Sequence, residues 1–439
     1  MAGHISSARD RRIERVCVRL AIGFLTVLTL TGCGDQGSRS TESSGAILPG
    51  TAENRVPAGI TADVTGPERH AADEDGRQVG GSQILASQDP VAKLLSEIQQ
   101  LQVKAAAGTT RGDDSNSEIV LKATEVIRLT MQDSSQGGQF LDAVRGLLQA
   151  RLHLALNGSN AQIDQLYADV QALNDRDPKS EPAAEGIYYL AKLAHTKARR
   201  AREQKADWNV NFSRWARDFA ARFPQQTERA LTLLFGAGRS CEMNAARVNS
   251  AEEAALLRAE ARLCYVMLME TWPKEPQGQE AVAVLRRLEL PGQKLAQFSG
   301  PLLSGGTLRA EQLSGKVILI YFWDSESHDF KNDWVPLLRK AESQLPADLV
   351  RFIGVNLDED PDRCRKSVQE LGIPGEQICF RHEKRCGWNS PLVRFWGVSQ
   401  SPGVWLVGSD GVVDSVDVRR AELASRMKNL VRRSRVSLN

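Results

Sequence analysis

The sequence predicts two folded regions in series, an α-helical one followed by an α/β domain. Two patterns carry this. Across residues 89–290 apolar side chains recur at helical spacing. Later the run Val317-Ile318-Leu319-Ile320-Tyr321-Phe322-Trp323, after Gly315-Lys316, reads as a buried strand. A polar turn follows it, and apolar residues at Trp334, Val335, Leu337, Leu338 and Ala341 then restore a helical period. Strand, turn and helix start, in that order, is where α/β folds place chemistry. A chain of 439 residues is too long for one ordinary domain. Its composition, 41% hydrophobic and 25% charged, is that of a globular protein rather than a fibrous or wholly disordered one.

The N-terminus carries a targeting signal. Five arginines (Arg9, Arg11, Arg12, Arg15, Arg19) precede an apolar run from Leu20 to Leu30. That run is shorter than the roughly 20 residues needed to span a bilayer, and it suits a secretory signal. It ends in Leu30-Thr31-Gly32-Cys33, which resembles the bacterial lipobox. The resemblance implies cleavage before Cys33 and a diacylglycerol on its sulfur. Residues 1–32 are then a signal peptide, and the chain is anchored to the outside of the inner or the outer membrane. A plain secretory signal is the alternative. Without residues 1–32 the chain has 51 basic and 52 acidic side chains, a net charge of −1. Near-neutrality argues against a nucleic-acid partner. Residues 33–88 are rich in Gly, Ser, Thr, Pro, Ala and acidic residues. Such a stretch buries too little apolar surface to offset its ordering entropy and reads as a disordered tether.

Residues 89–294 form the helical region. Asp89-Pro90 is a cap and first-turn pair for its first helix. A polar loop at 108–116 ends that helix. Further helices are predicted over 117–131, 139–157, 160–173, 182–203, 208–222, 226–246 and 251–272, with Ser250 and Glu253 spaced as a capping box. Phe223-Pro224 and Trp272-Pro273 echo each other 49 residues apart, each followed by a helix. The echo resembles a hairpin repeat of the tetratricopeptide kind, with a longer period. Such repeats bind or scaffold partners; an irregular bundle is the alternative. Trp208 and Trp215 share a helical face and read as core. His153 and His195 are lone helical histidines with a structural or solvated role, and Arg199, Arg200 and Arg202 read as a solvated face.

Residues 295–439 form the α/β domain. A hairpin is predicted over 298–313 with Ser304-Gly305-Gly306 as its turn. After the strand at 317–323 and its helix come a strand at 350–356, a helix at 361–371, a short helix at 391–396, a strand ending at Val407, a turn at Ser409-Asp410-Gly411, an edge strand at 412–418 and a last helix at 421–433. The basic residues of that helix (Arg426, Lys428, Arg432, Arg433, then Arg435) read as a solvated face, with anionic lipid the alternative.

The segment Gly315-Lys316, apolar strand, Phe322-Trp323, polar turn, helix resembles the TlpA-like branch of the thioredoxin superfamily. So does Val398-Ser399-Gln400-Ser401-Pro402-Gly403-Val404-Trp405-Leu406-Val407, whose Pro402 falls where that family has a cis proline. The family's usual Thr after that proline is Gly403 here. The resemblance implies a thioredoxin-like fold. It does not carry over the redox pair, because the family's two cysteines fall on Ser327 and Phe330. Pro336 comes one residue later than in the family, which leaves the register open by one. No register supplies a thiol, since no cysteine lies between Cys264 and Cys364. Thiol–disulfide exchange needs a thiolate both to attack and to leave. A serine and a phenylalanine cannot provide one, so the domain is expected to have lost that activity.

Other constellations are weaker. Ser327, His328 and Asp329 are consecutive, and consecutive residues do not converge into a catalytic relay. Cys379, His382 and Cys386 are spaced for a zinc or copper site but lack an evident fourth ligand. In an oxidising compartment a Cys379–Cys386 disulfide is the expectation, with unpaired thiols the alternative. A relocated redox pair would draw on Cys379 and Cys386 or Cys364, with Lys384 and Arg385 lowering the Cys386 pKa. The sequence calls for no cofactor. The expected role is a redox-inactive binding or scaffolding module that docks a peptide or protein around Ser327, Phe330 and Pro402; an envelope thiol–disulfide oxidoreductase is the alternative.

Overall fold

The computed structural model describes residues 89–107, 112–200, 206–382 and 384–437. The signal segment, Cys33 and the tether lie outside the described residues, as does Arg202.

The helical region comprises α1 (Pro90–Ala106), α2 (Gly112–Thr130), α3 (Gly137–Asn157), α4 (Asn160–Arg176), α5 (Glu181–Arg200), α6 (Asp207–Arg222), α7 (Thr227–Ala245), α8 (Ala251–Thr271) and α9 (Pro276–Leu288). Asp89 caps α1 by accepting from the Val91 N–H at 3.0 Å, and Ser250 caps α8 by accepting from the Glu253 N–H at 3.2 Å. Helix α2 begins at Gly112, five residues before the apolar period suggests. Asp113 and Asp114 in its first turn suit the positive end of the helix dipole, so this polar stretch is helix rather than loop. Neighbouring helices pack their apolar faces together. Phe219, Phe223 and Tyr265 plug one core, and Phe140, Leu148, Leu166 and Leu193 another. Trp208 and Trp215 lean on both, and His195 stacks on Phe212 at 4.8 Å.

The echo between Phe223-Pro224 and Trp272-Pro273 is a repeated helix stop. Phe223 (φ −127°, ψ 52°) and Trp272 (φ −130°, ψ 58°) adopt the same backbone. Each donates its N–H to the carbonyl four residues back and accepts from the residue three ahead. The following proline cannot continue the helix, because it has no N–H and disfavours the helical conformation of its predecessor. Asp177-Pro178 ends α4 with the same pair of backbone bonds.

The α/β domain contains β1 (Ser299–Pro301), β2 (Thr307–Arg309), β3 (Val317–Trp323), α10 (Val335–Gln344), β4 (Val350–Asn356), α11 (Pro361–Leu371), β5 (Glu376–Ile378), α12 (Pro391–Trp396), β6 (Gly403–Val407), β7 (Val413–Ser415) and α13 (Arg420–Ser437). Strands β1 and β2 form an antiparallel hairpin, with Gly305 and Gly306 at positive φ in its turn. The main sheet has the order β5-β4-β3-β6-β7. Strands β3, β4 and β5 run parallel, while β6 and β7 run antiparallel to their neighbours. Every residue of β3 is buried, as a central strand covered on both faces must be. Strand β5 is absent from the sequence reading: it is three residues long and carries a buried glutamine in place of an apolar pattern. Strand β7 is shorter than expected because its ladder is interrupted by a register shift at Leu406/Val407.

Gln377 explains its own burial. Tyr321, Gly354 and Gln377 lie side by side on β3, β4 and β5. Without a side chain on Gly354, Gln377 reaches across β4. It donates from Nε2 to the Tyr321 hydroxyl (2.8 Å) and accepts at Oε1 from the Trp323 indole N–H (3.0 Å). All of these polar atoms are thereby satisfied inside the core.

Both regions belong to one compact unit, and a buried ion pair of the helical region extends hydrogen bonds into the α/β domain. Arg287 of α9 and Glu242 of α7 are each less than 10% exposed. Arg287 also donates from Nε to the Gly397 carbonyl (3.1 Å), and Glu242 accepts from Ser399 Oγ (3.3 Å) and the Tyr265 hydroxyl (3.2 Å). Arg239 donates to the Ser399 carbonyl at 2.7 Å. Gly397, at φ +57°, brings its backbone against α9, where a Cβ would fall 2.5 Å from the Val284 nitrogen. Farther along, Arg419 donates to the carbonyls of Val248 and Asn249, and Arg258 pairs with Asp417. The helical region thus grips residues 397–399, just before Pro402.

Two outcomes are expected from this packing. Arg287→Ala strands Glu242 without its partner and should cost about 3–5 kcal/mol in urea unfolding, whereas Arg287→Met with Glu242→Leu should cost much less. Gly354→Ala would set a methyl 1.9 Å from Gln377 Oε1, and its overpacking should cost about 1–3 kcal/mol in the same measurement.

Candidate functional site

The candidate site is the turn that leaves β3. Asp324 folds it as an Asx turn: its Oδ1 accepts from the N–H groups of Glu326 (3.0 Å) and Ser327 (2.7 Å). Asp358, buried after β4, accepts from the Ser325 N–H at 2.9 Å and from Asn356 Nδ2 at 2.8 Å. The turn is therefore clamped from both its own strand and the neighbouring one.

Ser327 is half-buried and acts as a cap. Its Oγ accepts from the Phe330 N–H at 3.2 Å, satisfying one of the amides that a helix start leaves open. Phe330 is fully buried and stacks on two aromatic rings of β3, Trp323 (5.2 Å between centroids, 17° between planes) and Tyr321 (5.9 Å, 22°). Residues Phe330–Trp334 form a π-turn in which the Val335 N–H reaches back five residues to the Phe330 carbonyl. A π-turn holds one more residue than an α-turn. Pro336 follows directly on this π-turn, in the first turn of α10.

The Ser401–Pro402 peptide is cis. The pairing of Phe322 with Gly403 sets Pro402 beside the C-terminal end of β3, where the turn begins. Ser327, Phe330 and Pro402 thus share one end of the sheet. His328 does not join them: its Nδ1 pairs with Asn332 Nδ2 at 3.0 Å, and His328 and Asp329 are both exposed. Ser327, His328 and Asp329 make no relay.

The cysteines fall elsewhere, and their grouping corrects the expected Cys379–Cys386 bridge. No disulfide joins any of the five described cysteines. Cys379 turns into the core, in the same buried cluster as Cys364 of α11. Cys386 is buried outside that cluster, and His382 is exposed. The reason is that β5 ends at Ile378: Cys379 still alternates inward, but the chain then leaves the sheet. Among the described residues no three His, Cys, Asp or Glu side chains gather as a metal site. In the helical region Cys241 and Cys264 are fully buried, and burial pushes the Cys264 thiol up to about 11 and Cys241 higher still.

No protein-family profile and no curated protein matches the chain. Solved structures similar to it do so over its C-terminal third. One is the C-terminal domain of a putative thiol-disulfide oxidoreductase from Bacteroides thetaiotaomicron, at 24% identity, covering 33% of this chain and 97% of that one with a TM-score of 0.30. Another is the thioredoxin domain of a thiol-disulfide oxidoreductase from Bacteroides vulgatus, at 18% identity over 32% of this chain and 97% of that one, TM-score 0.29. A third is a secreted Mycobacterium tuberculosis disulfide oxidoreductase homologous to E. coli DsbE, at 18% identity over 30% of this chain and 96% of that one, TM-score 0.25. The strand order, the cis proline beside β3 and the turn-to-helix geometry make the C-terminal domain thioredoxin-like in fold.

The turn's two key residues should separate in a stability experiment. Phe330→Ala empties a stacked site in the core and should cost about 3–5 kcal/mol. Ser327→Ala removes a cap and should cost about 1 kcal/mol. Urea unfolding of each variant checks the difference.

Proposed function

We propose that the chain is an envelope lipoprotein, anchored through Cys33, whose thioredoxin-like domain binds a peptide or protein and does not exchange disulfides. The observation that carries this is the state of the turn. Ser327 is occupied as a helix cap and Phe330 as an aromatic plug, so both positions serve the fold. A thiol would also have to meet an incoming disulfide in line, and Cys364, Cys379 and Cys386 are each at most 5% exposed. The membrane anchor rests on the leader and the Leu30-Thr31-Gly32-Cys33 motif.

Thiol–disulfide exchange through displaced cysteines has one observation in its favour, that Cys364 and Cys379 share one core cluster. The two readings differ in a turnover assay. Reduction of insulin by dithiothreitol should run no faster with the chain than without it, and replacing Cys364, Cys379 and Cys386 by serine should change nothing. Catalysis that disappears with those replacements would establish the oxidoreductase reading instead. The anchor is tested separately: labelled palmitate fed to producing cells should enter the wild-type chain and not Cys33→Ser.

A further inference from the structure

We propose that Trp388 anchors the docking surface, and that the surface takes an acidic peptide segment of a partner protein with an apolar side chain in it. The inference rests on the binding role proposed above and specifies its partner. Among the described residues of the α/β domain, Trp388 is the only exposed large apolar side chain, at 41%. One exposed apolar residue needs no explanation by itself. The place and the mounting of this one do.

The place is the end of the sheet that carries the turn. Leu357, just past β4, donates its N–H to the Trp323 carbonyl at 2.8 Å. Gly387 presses its backbone against the same point: a Cβ there would fall 2.8 Å from the Leu357 carbonyl oxygen and 3.4 Å from that of Asp358. Asp358 in turn holds the Ser325 N–H of the turn at 2.9 Å. Trp388 is thus one residue away from the contact that links β3, β4 and the turn. The C-terminal ends of parallel strands are where α/β sheets bind ligands. The mounting is rigid. Gly387 takes φ +53°, a conformation that suits glycine. Residues 387–389 make a single 3-10 turn, in which Asn389 donates its N–H to the Cys386 carbonyl (3.0 Å) and Ser390 to the Gly387 carbonyl (3.1 Å). Cys386 and Ser390, on either side, are buried. A side chain on so fixed a backbone loses little freedom on binding, and tryptophan is among the residue types enriched at binding hot spots.

The charge around Trp388 selects the occupant. Residues 381–385 bring three cations, Arg381, Lys384 and Arg385, against one carboxylate, Glu383. Lys384 and Arg385 are exposed and pair with no carboxylate among the described residues. Across the turn and the start of α11 the acidic side chains are already engaged, Glu326 by Arg363 (2.7 Å) and Asp362 by Arg365 (2.8 Å). The uncompensated charge of the loop is therefore positive. Its complement is a segment in which Asp or Glu flanks an apolar residue. The apolar side chain covers the indole, and the carboxylates meet Lys384 and Arg385.

The test uses the full chain and three fluorescein-labelled synthetic peptides, of alternating Asp and Leu, Lys and Leu, or Asp and Ser. Fluorescence anisotropy should show the Asp-Leu peptide binding most tightly. Trp388→Ala should weaken that binding about tenfold, and Trp388→Phe should weaken it less. Lys384→Glu combined with Arg385→Glu should weaken it too and should favour the Lys-Leu peptide. Every variant should melt with the wild type, because all three side chains are exposed. Unchanged affinity in Trp388→Ala, or wild-type binding of the Lys-Leu or Asp-Ser peptide as tight as that of Asp-Leu, would overturn the inference and leave the docking role standing. Failure of all three peptides to bind would overturn both. Flotation with phosphatidylglycerol vesicles that is lost in Trp388→Ala, without peptide binding, would assign the loop to a lipid surface instead.

Discussion

The α/β domain depends on one constraint: β3 is closed off from water on both faces along its whole length. Val317, Leu319, Tyr321 and Trp323 face one core, and Ile318, Ile320 and Phe322 the other. The remaining strands are placed by this demand. Parallel β4 and β5 extend the sheet on one side, antiparallel β6 and β7 on the other, and helices cover the faces. The polar exceptions obey the same rule, because Tyr321, Trp323 and Gln377 satisfy one another across the gap left by Gly354. Where β3 ends, the chain must pass from a dry interior to a turn, and that passage is the candidate site.

At that passage packing and capping fix the residues of the turn. Phe330 continues the aromatic face of β3 beyond its last residue, and Ser327 holds the amide above it. These residues stabilise the helix start instead of leaving a reactive group poised at it. The helical region adds a second restraint. Through Arg287, Glu242 and Arg239 it holds residues 397–399, the approach to Pro402. The end of the sheet is thus fixed by its own turn, by the segment beside it and by the helices behind it.

Much of this was legible in the sequence because it rests on local patterns. The unbroken apolar run of β3 announces a buried strand, and Asp89-Pro90 and Ser250 announce helix starts. What escaped depends on contacts far apart in the chain. Strand β5 owes its existence to β4 and to Gln377's distant partners, so no run of three residues could reveal it. That Cys364 and Cys379 share one core cluster follows from tertiary packing, whereas spacing along the chain favoured Cys386. The π-turn was visible only as a proline one residue out of place. The start of α2 was hidden by acidic residues that suit a helix N-terminus as well as a loop.

The most direct measurement of the central claim is the reactivity of the reduced native chain toward a small aromatic disulfide reagent, with each reacting cysteine identified by mass. The expected result is that Cys241, Cys264, Cys364, Cys379 and Cys386 stay silent in the native state and react fully once the chain is unfolded. A rapid, stoichiometric reaction at any of these five in the native protein would contradict the account and show that an exchange-competent thiol stands at the surface.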